Sequence, residues 1–145
     1  MYEVVKILHS YWAYLVVLIV FLASINAIVK AIGNKEYQAK DFRISLFGLI
    51  VTHIQVLIGA ILFVVSPLVV WFSDVPVGNI MKDSTLRLYN VEHPLTMIIS
   101  AVVITIGYSK HKKKLTSQPK LKTLAIFYTL GLILLLSRIP WSNWL

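Results

Sequence analysis

Three histidines in this sequence lie in stretches of otherwise apolar residues, where a titratable side chain needs a reason to be. They are His9, His53 and His93, while a fourth, His111, lies among lysines and is expected to be a solvated loop residue. Ionisable side chains are costly at membrane depth, so they usually face the interior of a bundle or a functional site. A neutral imidazole is also a good ligand for haem iron.

The residues around two of these histidines suggest which way they face. His93 shares a helical face with Thr96 and Ser100, and His9 shares one with a series of small residues. Membrane helices bury faces of this kind against one another, since close approach of the backbones drives their association. By themselves the two faces therefore indicate only a packed bundle.

His9 and His93 add a more specific hypothesis. They fall in the first and third apolar stretches, which run in the same direction in an alternating bundle, so both lie toward the same membrane face. If those helices sit diagonally, the two imidazoles can meet across the core as axial ligands of one haem iron. Residue counts leave an offset of roughly 9 Å between them along the helix axes. His53 lies away from its own polar face, and the pair His53/His93 remains the alternative.

Other residues would complete such a haem site. A flat macrocycle needs small residues beside it, and Gly59 is one candidate. Arg138 ends an apolar helix on the same side, and a guanidinium suits a propionate carboxylate. Zinc would require a third close ligand, for which only the carboxylate of Glu92 is near in sequence.

The composition explains where such a chain can fold. Its 145 residues are 58% hydrophobic and 14% charged, and the mean hydropathy is +0.79. A soluble domain of this size could not hide so much apolar surface from water, whereas a lipid bilayer can accept it. The sequence has no cysteine, which excludes disulfides, thiolate metal sites and cysteine nucleophiles in this chain.

Four apolar stretches are long enough for helices that cross about 30 Å of hydrocarbon. The expected helices are 7–32, 44–72, 84–110 and 121–139. Short connections join antiparallel neighbours. The sequence therefore predicts one all-α transmembrane domain over 1–145, an integral membrane four-helix bundle with up-down-up-down topology.

The basic residues indicate how the bundle is oriented. The formal net charge is +8, and ten of the 14 Lys and Arg residues lie in or beside the first and third connections. Positive connections stay in the cytoplasm, so we expect a multi-pass protein of the cytoplasmic (inner) membrane with both termini on the outer, periplasmic side. Because the positive charge marks topology, nucleic acid is not an expected partner. The four tryptophans are expected near the outer interface.

Several segments together resemble a family of small four-helix membrane proteins commonly labelled cytochrome b-like. They cover nearly the whole chain and read LHSYWAYL, HIQVLIGAILF, STLRLYNVEHPLTMIISAVVITIGYSKHKK and LSRIPWSNWL. A fainter similarity exists to half of haem A synthase, in which a ligand histidine, a Gln followed by Gly, and a second ligand histidine come in that order.

The resemblance implies a site for haem b. His9 and His93 would be the iron ligands, with Gln55 and Gly59 beside them. This chain departs from haem A synthase in having one half only and in placing its extra helix after the three matching ones. The resemblance thus favours a haem site over haem A synthesis itself.

Two classes of function follow from the sequence. The first is a b-type cytochrome that transfers electrons as a subunit of a larger respiratory complex or a homo-oligomer, with quinone as a further candidate partner. The alternative is a cofactor-free accessory or assembly subunit, whose histidines would be structural. A haem-modifying enzyme is a third, weaker hypothesis, so a non-catalytic role is favoured.

Overall fold

The computed structural model describes residues 1–144, which are mostly helical and contain no strand. The helices are α1 (Tyr2–Ile32), α2 (Ala39–Val65), α3 (Val77–Lys82), α4 (Ser84–Arg87), α5 (His93–Lys113) and α6 (Ser117–Ser137), and a π-helical segment, Leu88–Glu92, joins α4 to α5 without a break. Four helices are long and apolar enough to cross a membrane: α1, α2, the continuous helix Ser84–Lys113, and α6. The all-helical prediction is confirmed. Leu145, the last residue of the expected domain 1–145, lies outside the described residues.

The first two helices differ from the expected ranges at their ends. α1 begins at Tyr2 instead of residue 7, and Glu3 in its first turn complements the helix dipole. α2 is Ala39–Val65 instead of 44–72. It begins earlier because the side chain of Asp41 accepts the backbone N–H of Gln38 at the helix start. It ends earlier because Pro67 disfavours helical geometry at the residue before it.

The other two helices also extend beyond their expected starts or ends. α5 continues to Lys113 instead of residue 110, so His111 is part of a helix and is fully buried. The expectation that His111 is a solvated loop residue was wrong. α6 is Ser117–Ser137 instead of 121–139. Pro119 falls in its first turn, where a missing backbone N–H costs no hydrogen bond.

The helix neighbours place α1 opposite α5. α1 packs against α2 and α6, and α5 packs against the same two helices. The core between them is apolar and includes Val16, Val20, Ile104, Tyr128 and Leu132. α1 and α5 therefore lie diagonally across the bundle.

A buried polar network closes the end of the bundle that carries most of the lysines. His111 donates from Nδ1 to the carbonyl of Tyr108 at 2.5 Å, so its Nε2 accepts from the Tyr37 hydroxyl at 2.9 Å. Burial, assisted by Asp41 and Tyr108, raises the pKa of Tyr37 to about 12, which keeps this hydroxyl protonated as a donor. Asp41 is itself buried and paired with Lys30. The network joins the first connection to the end of α5.

Two glycines allow α5 and α6 to approach closely. A Cβ on Gly131 would lie 2.5 Å from Cγ1 of Ile104, and one on Gly107 would overlap Cβ of Phe127. Because the contacted atoms lie close to the backbones of their own residues, the helices could accept a methyl group at either glycine only by separating.

We expect Gly107→Ala to destabilise the protein by about 1–3 kcal/mol, the usual cost of overpacking a core. Thermal unfolding in detergent, followed by circular dichroism, measures the change. The matched control is Gly78→Ala, since a Cβ there meets nothing within 4 Å. Equal midpoints for the two variants would contradict the close contact between α5 and α6.

Candidate functional site

The structure brings His9 of α1 and His93 of α5 together across the bundle. Their ring centroids are 6.1 Å apart and their planes cross at 74°. Two imidazoles that bind one metal ion from opposite sides, each with a metal–nitrogen distance of about 2 Å, have ring centres roughly 6 Å apart. The pair therefore has the spacing of two axial ligands. The separation of the rings is smaller than the offset of roughly 9 Å along the helix axes that residue counts predict. Those counts took residue 110 as the end of the helix, whereas α5 ends three residues later, at Lys113.

His93 is oriented by the end of α6. Its Nδ1 lies 2.8 Å from the carbonyl oxygen of Arg138. A carbonyl can only accept, so Nδ1 carries the proton and Nε2 keeps its lone pair. This is how proteins usually fix a histidine ligand, with one ring nitrogen on a backbone carbonyl and the other free for the metal.

His9 is held by two residues of α2. A Cβ on Gly59 would lie 3.2 Å from Cε1 of His9, so the imidazole occupies the space that this glycine leaves. Gln55 donates from Nε2 to the carbonyl of His9 at 2.9 Å. Nδ1 of His9 and Oε1 of Gln55 are both buried and have no hydrogen-bond partner among the described residues. Unpartnered buried polar atoms are uncommon in native structures, so these two atoms make this place a candidate site for a bound group.

His53 lies apart from this pair. It is exposed on the outside of the bundle, and its Nε2 is 2.8 Å from the hydroxyl of Thr105. That hydroxyl already donates to the carbonyl of Ala101, so Nε2 of His53 must be the donor. His53 therefore connects α2 to α5 through a hydrogen bond, and its Nε2 is protonated.

Charged groups lie beside His93. Glu92 accepts from Nε of Arg87 at 2.7 Å and is 3.5 Å from Nε of Arg138. Two guanidinium groups share one carboxylate, which leaves a net charge of +1. Arg138 contacts His93 through its backbone carbonyl, and its side chain contacts Glu92. That its guanidinium also pairs with a propionate stays a prediction.

Sequence reasoning missed Asn90, which is 4% exposed. Its side chain accepts the backbone N–H of Val70 and donates to the carbonyls of Leu68 and Leu86. The available signal was Pro94, since a proline leaves the carbonyl four residues earlier without its helical donor. That carbonyl belongs to Asn90.

Among residues 1–144, no group of three or more His, Asp or Glu side chains is arranged to hold a metal ion. Any metal at the histidine pair would therefore need further ligands from elsewhere. No protein-family model, curated protein or solved structure matches this chain.

The hydrogen bonds predict opposite tautomers for two of the neutral histidines. His93 should carry its proton on Nδ1, because it donates to the Arg138 carbonyl, and His53 should carry its proton on Nε2. Nitrogen-15 NMR of protein labelled at histidine distinguishes the two forms. The signal that disappears in His53→Ala belongs to His53. A signal of His93 in the Nε2–H form would contradict the geometry of the site.

Proposed function

We propose that this protein is an integral membrane b-type cytochrome that holds one haem b between His9 and His93 and transfers electrons. The observation that carries the proposal is the 6.1 Å separation of the two imidazole rings on diagonal helices. Haem b, when bound, supplies one-electron chemistry by cycling its iron between Fe(II) and Fe(III).

The residues present fit this cofactor in three ways. A porphyrin brings its own four equatorial nitrogens, so two protein ligands are sufficient. Both ligands can offer a free ring nitrogen, since Nδ1 of His93 is engaged by the Arg138 carbonyl and His9 makes no side-chain hydrogen bond in the described residues. Gly59 leaves the room that the imidazole of His9 occupies, which seats this ligand against α2. Gln55 fixes the backbone of His9.

Residues around His93 would set its strength as a ligand and the charge beside the haem. The hydrogen bond to the Arg138 carbonyl makes the His93 imidazole a more basic ligand. The net positive charge of Arg87, Glu92 and Arg138 favours a carboxylate beside His93, which is the charge of a haem propionate. With both His9 and His93 as ligands, the iron would have no position left for a substrate, so electron transfer is favoured over catalysis at the metal.

We further propose an up-down-up-down arrangement in the cytoplasmic membrane. Contacts between neighbouring helices support it, because residues early in one helix meet residues late in the next. His9 meets Gly59, whereas Asn26 bonds to Asp41. The basic connections would face the cytoplasm by the positive-inside rule, with both termini and the histidine pair toward the outer side. Quinol or a periplasmic carrier could reach the haem there, within a larger membrane complex or a homo-oligomer.

One observation favours the alternative of a cofactor-free accessory subunit. The rings of His9 and His93 lie in an edge-to-face arrangement, at a separation within the range of ordinary aromatic contacts. In that case the pair would serve packing alone, and the purified protein would not absorb visible light.

The topology is tested by reporter fusions. Fusions within 33–38 and 114–116 should report the cytoplasm, and fusions within 66–76 and after Leu145 should report the outer side, because ten basic residues flank the first two positions. A cytoplasmic signal from 66–76 would reverse the orientation.

The ligand assignment is tested by three alanine variants. We expect His9→Ala and His93→Ala each to abolish the low-spin haem spectrum, since each variant removes one of the two imidazoles that meet across the bundle. His53→Ala is the matched control and should retain the spectrum, because His53 bonds to Thr105 on another face. Loss of the spectrum in His53→Ala with retention in His9→Ala would show that the ligand pair is wrong.

A further inference from the structure

The helix that carries His93 contains an irregularity immediately before it. The segment Leu88–Glu92 is π-helical, and the backbone N–H of His93 donates to the carbonyl of Leu88, five residues earlier. π-helical turns are rare, and many lie at functional sites because they rotate the following residues relative to a regular helix. The direction in which His93 leaves the helix therefore depends on this turn.

A π-helical turn is held here by groups outside its own helix. Pro94 has no N–H to give to the carbonyl of Asn90, and the indole N–H of Trp71 donates to that carbonyl at 2.9 Å instead. The side chain of Asn90 makes three further hydrogen bonds. It accepts from the N–H of Val70 at 2.8 Å and donates to the carbonyls of Leu68 at 3.0 Å and Leu86 at 2.8 Å. Four hydrogen bonds thus converge on one buried residue, three with the connection after α2 and one within the same helix.

These contacts join two parts of the chain. Leu68, Val70 and Trp71 belong to the connection after α2, and α2 carries Gly59, which borders His9. Asn90 belongs to the helix that carries His93. The contacts therefore link the element beside one histidine to the turn that directs the other.

We propose that Trp71 and Asn90 are positioning residues for the metal ligand: they hold the π-helical turn open and thereby set the rotation of His93 against His9. The proposal deepens the proposed function and rests on it for the identity of the metal. Without the indole donor, the carbonyl of Asn90 has no hydrogen-bond partner, because Pro94 cannot supply one, and the turn rearranges. The residues around it then rotate, and His93 leaves the carbonyl of Arg138.

The test uses Trp71→Phe, which keeps an aromatic ring and removes only the N–H donor. The matched control is Trp141→Phe. It removes an indole of the C-terminal segment that donates to the carbonyl of Leu136 in α6. Asn90→Ala is the second variant, and where it does not fold, Trp71→Phe decides. Far-ultraviolet circular dichroism establishes that each variant is folded.

The first readout needs no haem. In nitrogen-15 NMR, wild-type protein and Trp141→Phe should show His93 in the Nδ1–H form only, whereas Trp71→Phe should add the Nε2–H form. His53 should be unchanged in all three proteins. An unchanged His93 in Trp71→Phe would overturn the proposal, as would an equal change in Trp141→Phe.

The second readout uses the oxidised haem protein. The low-spin ferric EPR signal would depend on the angle between the two ligand imidazoles, so Trp71→Phe should shift its g values and leave the haem content unchanged. An identical EPR signal would count against the proposal. If the wild-type protein binds no haem, the proposed function fails, and the NMR signal of His93 still decides whether Trp71 and Asn90 position it.

Discussion

Inside a bilayer, every backbone N–H and C=O must find its hydrogen-bond partner within the protein. Helices meet this requirement along most of this chain, and the exceptions are informative. The carbonyl of Asn90 has no helical donor because Pro94 lacks an N–H, and it accepts a hydrogen bond from the indole of Trp71. The carbonyl of Arg138, at the end of α6, takes the imidazole of His93. Backbone groups that a helix leaves free are thus used to orient the side chains of the site.

The two ends of the bundle satisfy their polar groups differently. At the lysine-rich end, Asp41 is paired with Lys30, and His111 has a partner on each ring nitrogen. Three buried side-chain atoms lack a hydrogen-bond partner in the described residues, and two of them belong to His9 and Gln55. The third, Oε1 of Gln118, lies at the lysine-rich end. Unpartnered buried polar atoms are costly, and the two beside the histidine pair fit the proposal of a bound group there.

Hydropathy was sufficient to find the four long helices, because each is long and apolar enough to cross a membrane. It did not find their ends, which depend on particular hydrogen bonds such as that between Asp41 and Gln38, and on Pro67. The meeting of His9 and His93 could be anticipated from helix direction and spacing. The role of the Arg138 carbonyl could not, since backbone acceptors have no sequence signature. For Asn90 the sequence offers only Pro94, which leaves the Asn90 carbonyl without a helical donor but does not show which group replaces it. The expectation for His111 was wrong because its lysine neighbours suggested a loop. In the structure the hydroxyl of Tyr37 gives its ring a hydrogen-bond partner inside the bundle.

The absorption spectrum of the purified protein tests most directly whether a haem lies between the two imidazoles. Protein from haem-replete cells should show a Soret band and, after reduction, the sharp α and β bands of low-spin iron, with one extractable haem b per chain. Folded protein from the same cells without a Soret band would contradict the account and leave the histidine pair as a packing contact.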